Sequence, residues 1–100
     1  MNDYILLMHD DVPVEHRPAS ETGWDDYIAG LAATGQFLGG SSIGPGVCHR
    51  ITAKPAADES KLSGFVRVVA ESVEDARKFL SGNPVYEAGG TVEIRLLPRD

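Results

Sequence analysis

The last third of the chain constrains the fold most, because a strand, a capped helix and a second strand follow one another there. Residues 64–70 read Gly-Phe-Val-Arg-Val-Val-Ala, a run rich in β-branched side chains. Ser72 then offers a helix cap, with Asp75 as the acid at the third position after it. From Thr91 to Leu97, apolar and polar residues alternate. The pattern predicts a β-α-β unit.

The first half of the chain has the same order of elements. The continuous run Tyr4–Met8 is apolar on both faces of a strand, which predicts a central strand. Ser20 or Thr22 is expected to cap the helix that follows, and Gly35 is expected to end it. That helix carries an apolar stripe at the spacing of one helical face, formed by Trp24, Tyr27, Ile28, Leu31 and Ala32.

Glycine and serine dominate the next predicted strand, Phe37–Ile43, so we expect an edge strand or a close approach to its backbone. Val47–Thr52 is a candidate for a short additional strand, and the helix after Ser72 is expected to stop at Gly82–Pro84. The whole order predicts a single α+β domain over residues 1–100. Its expected topology is ferredoxin-like βαββαβ, with an antiparallel sheet and the helices on one face.

The helices pack on only one face of that sheet, so the apolar residues of the second face must be buried in another way. Strand alternation directs Phe65 and Val69 away from the helices together with Arg67, and Leu7 adds a further apolar group. A monomer would leave this surface in water, as a patch larger than soluble monomers usually expose. We therefore predict a homodimer in which the sheet faces of two copies pack together.

Composition narrows the classes of partner and location. A net charge of −6, with the nine basic residues scattered singly, disfavours nucleic acid. No apolar run is long enough to cross a bilayer, and a single cysteine without a basic leader segment predicts a cytoplasmic location. Cys48 and His49 would point to opposite faces of a strand and could not share one ion, so we expect no metal. No phosphate-binding loop is present, and we expect no cofactor.

His9 and Asp10 are candidate catalytic residues at the end of the first predicted strand, where Asp11 follows them. A histidine beside carboxylates would serve as a general base, because its pKa lies near working pH. The alternative is a polar strand end that simply enters solvent.

Glu93, Arg95 and Arg67 are the charged residues of the face opposite the helices. Buried charge is costly without a partner, so these side chains need one. One interpretation is a pocket in which Arg67 and Arg95 hold a substrate carboxylate or enolate while Glu93 transfers a proton. The alternative is a set of cross-strand or intersubunit ion pairs.

Trp24 and Ser41 are the remaining candidates for substrate binding. Trp24 lies on the apolar stripe beside Tyr27, where ordinary core packing is the alternative. Ser41 and its neighbour Ser42 would line a pocket or merely form a polar edge, and neither lies in the nucleophile elbow of a serine hydrolase.

A set of short segments, in a characteristic order along nearly the whole chain, carries a family resemblance. They are Tyr4–Met8, Gly35–Gly40, Leu62–Phe65, Glu71–Ala76, Asn83–Pro84 and Val92–Arg95. In these the chain resembles the YCII-related family, in the branch named for an Asp-Gly-Pro-Phe motif. The resemblance implies a ferredoxin-like fold that dimerises through its sheets as a dimeric α/β-barrel. It also implies that some members are enzymes that use a His and Asp pair.

The chain departs from that pattern at each functional position. Trp24 stands where such members have histidine on the first helix, and Asn83-Pro84 stands where they have Asp-Pro. The motif of the branch survives only as Ala53–Ala56. The His and Asp pair of the family therefore does not carry over to this sequence.

Two functions remain open. The first is an enzyme that moves a proton on a small anionic or carbonyl-bearing molecule, in a lyase-like or isomerase-like step. The second is a non-catalytic ligand-binding or accessory module, which the loss of the family's His and Asp favours. Convergence of at least two candidate side chains on one accessible pocket would favour the enzyme, and their use in interface ion pairs would favour the module.

Overall fold

An antiparallel sheet of four strands organises residues 1–17, 22–51 and 61–99, the part of the chain that the computed structural model describes. The strands are β1 (Asn2–His9), β2 (Phe37–Ser42), β3 (Leu62–Ala70) and β4 (Val92–Leu97), and their spatial order is β2-β3-β1-β4. This order makes β1 and β3 central and β2 an edge. The chain has the predicted α+β ferredoxin-like fold.

Helices connect the strands. The long helix α1 (Thr22–Ala33) joins β1 to β2, and the short helix α2 (Val73–Ala76) follows β3 and continues as a 3-10 turn over Arg77–Leu80. The predicted cap of α2 is confirmed. Ser72 Oγ accepts a hydrogen bond from the Asp75 N–H at 3.1 Å, and the Asp75 carboxylate accepts one from the Glu71 N–H at 3.0 Å.

A third helix, α3 (Pro84–Glu87), was not expected from the sequence, which predicted only that the chain stops being helical at Gly82–Pro84. Asn83 explains the new start. Its Oδ1 accepts hydrogen bonds from the backbone N–H groups of Val85 and Tyr86, at 3.0 and 3.1 Å. Pro84 fits the first helical position because no N–H is needed there.

One predicted strand is not formed in the described residues, and a few other predicted features lie outside those residues. Residues 43–51 are irregular, so the described part of the candidate strand Val47–Thr52 is not a strand. Gly44, Pro45 and Gly46 stand immediately before Val47, and proline and glycine weaken strand pairing. The segment Ala53–Ala56, Ser20 and the side chain of Thr22 lie outside the described residues.

The core lies between the helices and one face of the sheet. Tyr4, Leu6 and Met8 of β1 point into it, and Leu6 is fully buried. From α1, Tyr27 and Leu31 are buried as predicted, and Trp24 and Ile28 pack against the core at its margin, whereas Ala32 is exposed. The predicted stripe is therefore one residue too long.

The opposite face of the sheet carries no helix in the described structure, and we call it the open face. Register places Arg67 and Arg95 on either side of Ile5, and Phe65 and Glu93 on either side of Leu7. The apolar residues Ile5, Leu7, Phe65 and Val69 are only partly buried there. The face is therefore apolar along its middle and charged at Asp3, Arg67, Glu93 and Arg95.

Candidate active site

A cleft of about 1,230 Å³ lies between the sheet and α1, near the end of β1. Its walls come from the ends of β1 and β2, the start of β3, the first half of α1, the loop after β1 and the segment around α3. The lining residues are Met8, His9, Asp10, Val12, His16, Arg17, Gly23, Trp24, Ile28, Phe37, Gly39, Gly40, Ser41, Ser42, Ser63, Gly64, Phe65, Val66, Gly82, Pro84, Val85, Glu87 and Ala88. A cleft of this size accommodates a small organic molecule.

Small residues explain why the cleft exists. At this end of the sheet, the positions of β2 and β3 that share the core face are Gly40, Ser42 and Gly64, which cannot fill the space beneath α1. Gly40 is also required by packing, because a Cβ there would overlap the carbonyl oxygen of Phe65. The expectation of a close approach to the glycine-rich strand is confirmed at this residue.

His9 joins the cleft to the open face. The β1–β3 register shifts between Met8 and His9, an irregularity of the kind that redirects a side chain at a strand end. His9 lines the cleft, and its Nε2 lies 2.9 Å from Oε1 of Glu93 on the neighbouring strand β4. Both side chains retain 32% of their exposure. The structure therefore brings together two of the three predicted catalytic residues.

The partner of each ring nitrogen sets the tautomer of His9. A carboxylate only accepts hydrogen bonds, so Nε2 carries the proton that it donates to Glu93. In the neutral ring, Nδ1 then holds the basic lone pair, and no hydrogen bond from the described residues occupies it. This is the arrangement of a general base that a carboxylate orients through the other nitrogen.

Arg95 completes a chain of three groups on the open face. Its Nε donates to Oε2 of Glu93, the neighbour two residues before it on the same face of β4. The Arg95 guanidinium, and then the hydrogen bond from His9, lower the pKa of Glu93 below its ordinary range. Glu93 therefore stays ionised and presents a negative charge to His9.

Arg67 is not part of this chain of contacts. It lies on β3, with β1 between it and β4, and it is exposed. Its positive charge contributes to the lowered pKa of Asp3, for which the hydrogen bond from Arg99 is the largest cause. Arg95 uses its Nε on Glu93, and neither Arg95 nor Arg67 lines the cleft, so the interpretation that the two arginines hold an anion stays a prediction.

Asp11 has a structural role next to the site. Its two carboxylate oxygens accept hydrogen bonds from the N–H and the hydroxyl of Thr91, at 2.8 and 2.5 Å. These bonds lower the pKa of Asp11, the one from the Thr91 side chain being the largest cause. The contact ties the end of β1 to the residue before β4, which supports the alignment of His9 with Glu93.

The substrate-binding candidates Trp24 and Ser41 both line the cleft, as does Asp10. Trp24 packs edge-on against Tyr27, with ring centroids 5.8 Å apart. Tyr27 itself belongs to the core, where its hydroxyl donates to the Phe79 carbonyl at 2.6 Å and burial raises its pKa. Ser41 Oγ donates to the Ser42 carbonyl at 2.9 Å, so its hydroxyl hydrogen is already used. Their roles as ligand contacts stay predictions.

Two residues that line the cleft, His16 and Arg17, were not among the candidates from the sequence. They lie in the loop after β1, where the sequence suggested only Asp10 as a candidate. Two basic residues in a loop bounded by Pro13 and Pro18 were the only signal for them. Asn83, which the sequence suggested only as a departure from the family's Asp, has 0% exposure between the lining residues Gly82 and Pro84, and its Oδ1 caps α3.

The described residues contain neither a metal-binding cluster nor a membrane-spanning helix. Within residues 1–17, 22–51 and 61–99, no three His, Cys, Asp or Glu side chains converge in a way that could hold a metal ion. Cys48 is exposed. The helices of these same segments are too short or too polar to cross a membrane. The cytoplasmic location predicted from the sequence stays a prediction.

Comparison with solved structures supports the fold. The chain is similar to 5-chloro-2-hydroxyhydroquinone dehydrochlorinase from Burkholderia phenoliruptrix AC1100, solved in complex with 2,5-dihydroxybenzoquinone. The two share 18% sequence identity with a TM-score of 0.51, over 98% of this chain and 95% of the other. At that identity the likeness shows the fold alone, the ferredoxin-like α+β arrangement. No protein-family model matches the sequence, and neither does any curated protein.

Proposed function

We propose that this protein binds a small carbonyl- or enol-bearing organic molecule in the cleft and that His9 exchanges a proton with it. The observation that carries the proposal is the 2.9 Å contact between His9 Nε2 and Glu93 Oε1, made by a histidine that lines the cleft. The structural neighbour was solved with a quinone-type molecule, and that ligand class suits an apolar cleft with a few polar groups.

The proposed step is a proton transfer to or from carbon beside a carbonyl group. His9 Nδ1 takes the proton, and the electron pair left on carbon becomes an enolate. The imidazolium keeps its Nε2–H on Glu93, whose negative charge stabilises it. Return of a proton to the same carbon gives hydrogen exchange, and its delivery to another atom gives an isomerisation. Loss of an anionic leaving group from the adjacent carbon gives an elimination.

A non-catalytic ligand-binding module is the second candidate, and two observations favour it. The side chain of Asn83 serves as a helix cap, which is a structural role at a position where the family resemblance implies a catalytic acid. Trp24 provides only an aromatic surface to the cleft where the resemblance implies histidine. In this case the cleft would bind the same class of molecule without moving a proton.

We further propose that the protein is a homodimer through its open faces. Ile5, Leu7, Phe65 and Val69 form an apolar strip there that a monomer would leave wetted. Packing against a two-fold copy would cover the strip and would also shield the Glu93–Arg95 pair from solvent. Shielding strengthens electrostatic interactions, so dimerisation would hold His9 more firmly in its tautomer.

Binding in the cleft is tested by the fluorescence of Trp24, which is the only tryptophan in the chain. We expect 2,5-dihydroxybenzoquinone to quench its emission in a saturable way, because the ring would lie within the same cleft. Replacing His9 by glutamine should weaken binding about tenfold, the effect of losing one hydrogen bond to an ionisable partner. Titrations use a Cys48→Ser background, so that the exposed thiol does not react with the quinone.

The matched control is His49→Gln, a change at an exposed histidine that does not line the cleft. This variant should bind like the parent protein. Absence of saturable quenching in the parent, confirmed by calorimetry without heat of binding, would contradict the proposed ligand class.

A further inference from the structure

We propose that the ligand of the cleft is a planar organic anion and that Arg17 holds its negatively charged oxygen. The inference rests on the proposed function and names the substrate class for the same cleft. The first observation is the charge of the cleft lining. Among the described lining residues there is no lysine, and Arg17 is the only arginine. Arg67 and Arg95, the arginines that the sequence suggested for this role, do not line the cleft.

Arg17 is positioned in a way that leaves it available. Its Nε donates to the Val12 carbonyl at 3.3 Å, which anchors the base of the guanidinium to the loop that forms the cleft wall. No ion pair with a carboxylate of the described residues engages its terminal nitrogens. The N–H groups on both terminal nitrogens can therefore reach a ligand, and their planar geometry matches a carboxylate or an enolate oxygen pair.

A second hydrogen bond, made by His16, fixes the loop that carries Arg17. His16 precedes Arg17 at the end of a 3-10 turn (Val14–His16), and its Nδ1 lies 3.1 Å from the Ala88 carbonyl behind α3. A carbonyl only accepts, so Nδ1 carries the proton of the neutral ring. This bond joins the loop after β1 to the opposite wall of the cleft, so the backbone that carries the exposed Arg17 side chain has a defined place at the cleft.

The other charged groups of the cleft restrict where an anion can lie. Asp10 and Glu87 also line it, and the Glu87 carboxylate accepts a hydrogen bond from the Gly82 N–H at 2.9 Å. Negative charge on a ligand is disfavoured beside these carboxylates and favoured at Arg17. Trp24 and Phe37 supply aromatic surface elsewhere in the lining, which suits a flat ring. The charges and the aromatic groups together select a planar anion.

The test compares two quinones that differ in charge but have the same ring. At neutral pH, 2,5-dihydroxybenzoquinone is an anion because it ionises as a vinylogous acid, whereas 2,5-dimethoxybenzoquinone is neutral. We expect Arg17→Gln to weaken binding of the anion about tenfold and to change the affinity for the neutral quinone by less than twofold. The reason is that only the anion gains a charge-assisted hydrogen bond from Arg17. Arg17→Lys should retain part of the affinity for the anion, since it keeps the charge without the planar fork.

The control is Arg50→Gln, which removes an equal charge from an exposed residue outside the cleft. It should change neither affinity by more than twofold. The inference is wrong if Arg17→Gln leaves the anion's affinity unchanged or weakens both quinones equally, although the cleft then still binds ligand. If the parent protein binds neither quinone, the proposed function fails and this inference fails with it.

Discussion

Substituting His9 by glutamine is expected to slow the exchange of the ring hydrogens of 2,5-dihydroxybenzoquinone for deuterium by about 10²- to 10⁴-fold, relative to the parent protein in D₂O. Protonation of the enolate carbon gives a CH₂ group beside a carbonyl. Removal of a proton by His9 Nδ1 then regenerates the enolate with one hydrogen replaced. Glutamine cannot accept that proton, so the catalysed exchange should disappear. Proton NMR measures the rate from the loss of the ring signal.

A second variant separates the role of the base from the role of its partner. Glu93→Gln leaves His9 in place but removes the charge that the Glu93 carboxylate presents to Nε2. Its exchange rate should fall, but less than that of His9→Gln. His49→Gln should exchange at the rate of the parent. If His9→Gln exchanges as fast as the parent, the role of His9 as base is contradicted. If the parent binds the quinone without accelerating exchange, the non-catalytic module is correct.

Ile5→Lys is expected to convert the protein from a dimer to a monomer. Ile5 lies in the middle of the open face, and Arg67 and Arg95 are its neighbours across β3 and β4. A lysine there would place a positive charge within the apolar strip, where burial against a second copy is costly. It would also repel Arg67 and Arg95 of that copy. Light scattering after size exclusion should report twice the chain mass of 10.7 kDa for the parent and the single mass for the variant.

Val47→Lys is the matched control for this substitution. It also replaces an aliphatic residue by lysine, but Val47 is 78% exposed and lies in the irregular segment after β2, so the variant should remain a dimer. Circular dichroism of both variants checks that the sheet is intact. A parent protein that is monomeric at micromolar concentration would contradict the proposed interface, which should bury more than ~1,000 Å².

Local physical chemistry was sufficient to predict most of the fold from sequence. The apolar run Tyr4–Met8 specifies a central strand, and the structure confirms it as β1. The serine at position 72 can satisfy a free N–H at a helix start, and it does so. The helix α3 was missed because a four-residue helix has no periodicity to detect, and only its cap, Asn83, together with Pro84 marked it.

The candidate site was harder to predict, because it depends on how strands register rather than on which residues they contain. The sequence indicated His9 and Glu93 as separate candidates, 84 positions apart. Their contact follows from the pairing of β1 with β4 and from the register shift after Met8, which no local pattern reports. Arg17 was missed for a similar reason, since a loop residue enters a cleft only through the tertiary positions of α1 and α3.

The most direct test of the proposed site is the crystal structure of the protein with 2,5-dihydroxybenzoquinone. We expect the ring in the cleft against Trp24, with a ligand atom about 2.6–3.2 Å from His9 Nδ1 and with Nε2 still bonded to Glu93. A ligand bound elsewhere, while Nδ1 of His9 is occupied by a protein group, would contradict the proposed role of His9.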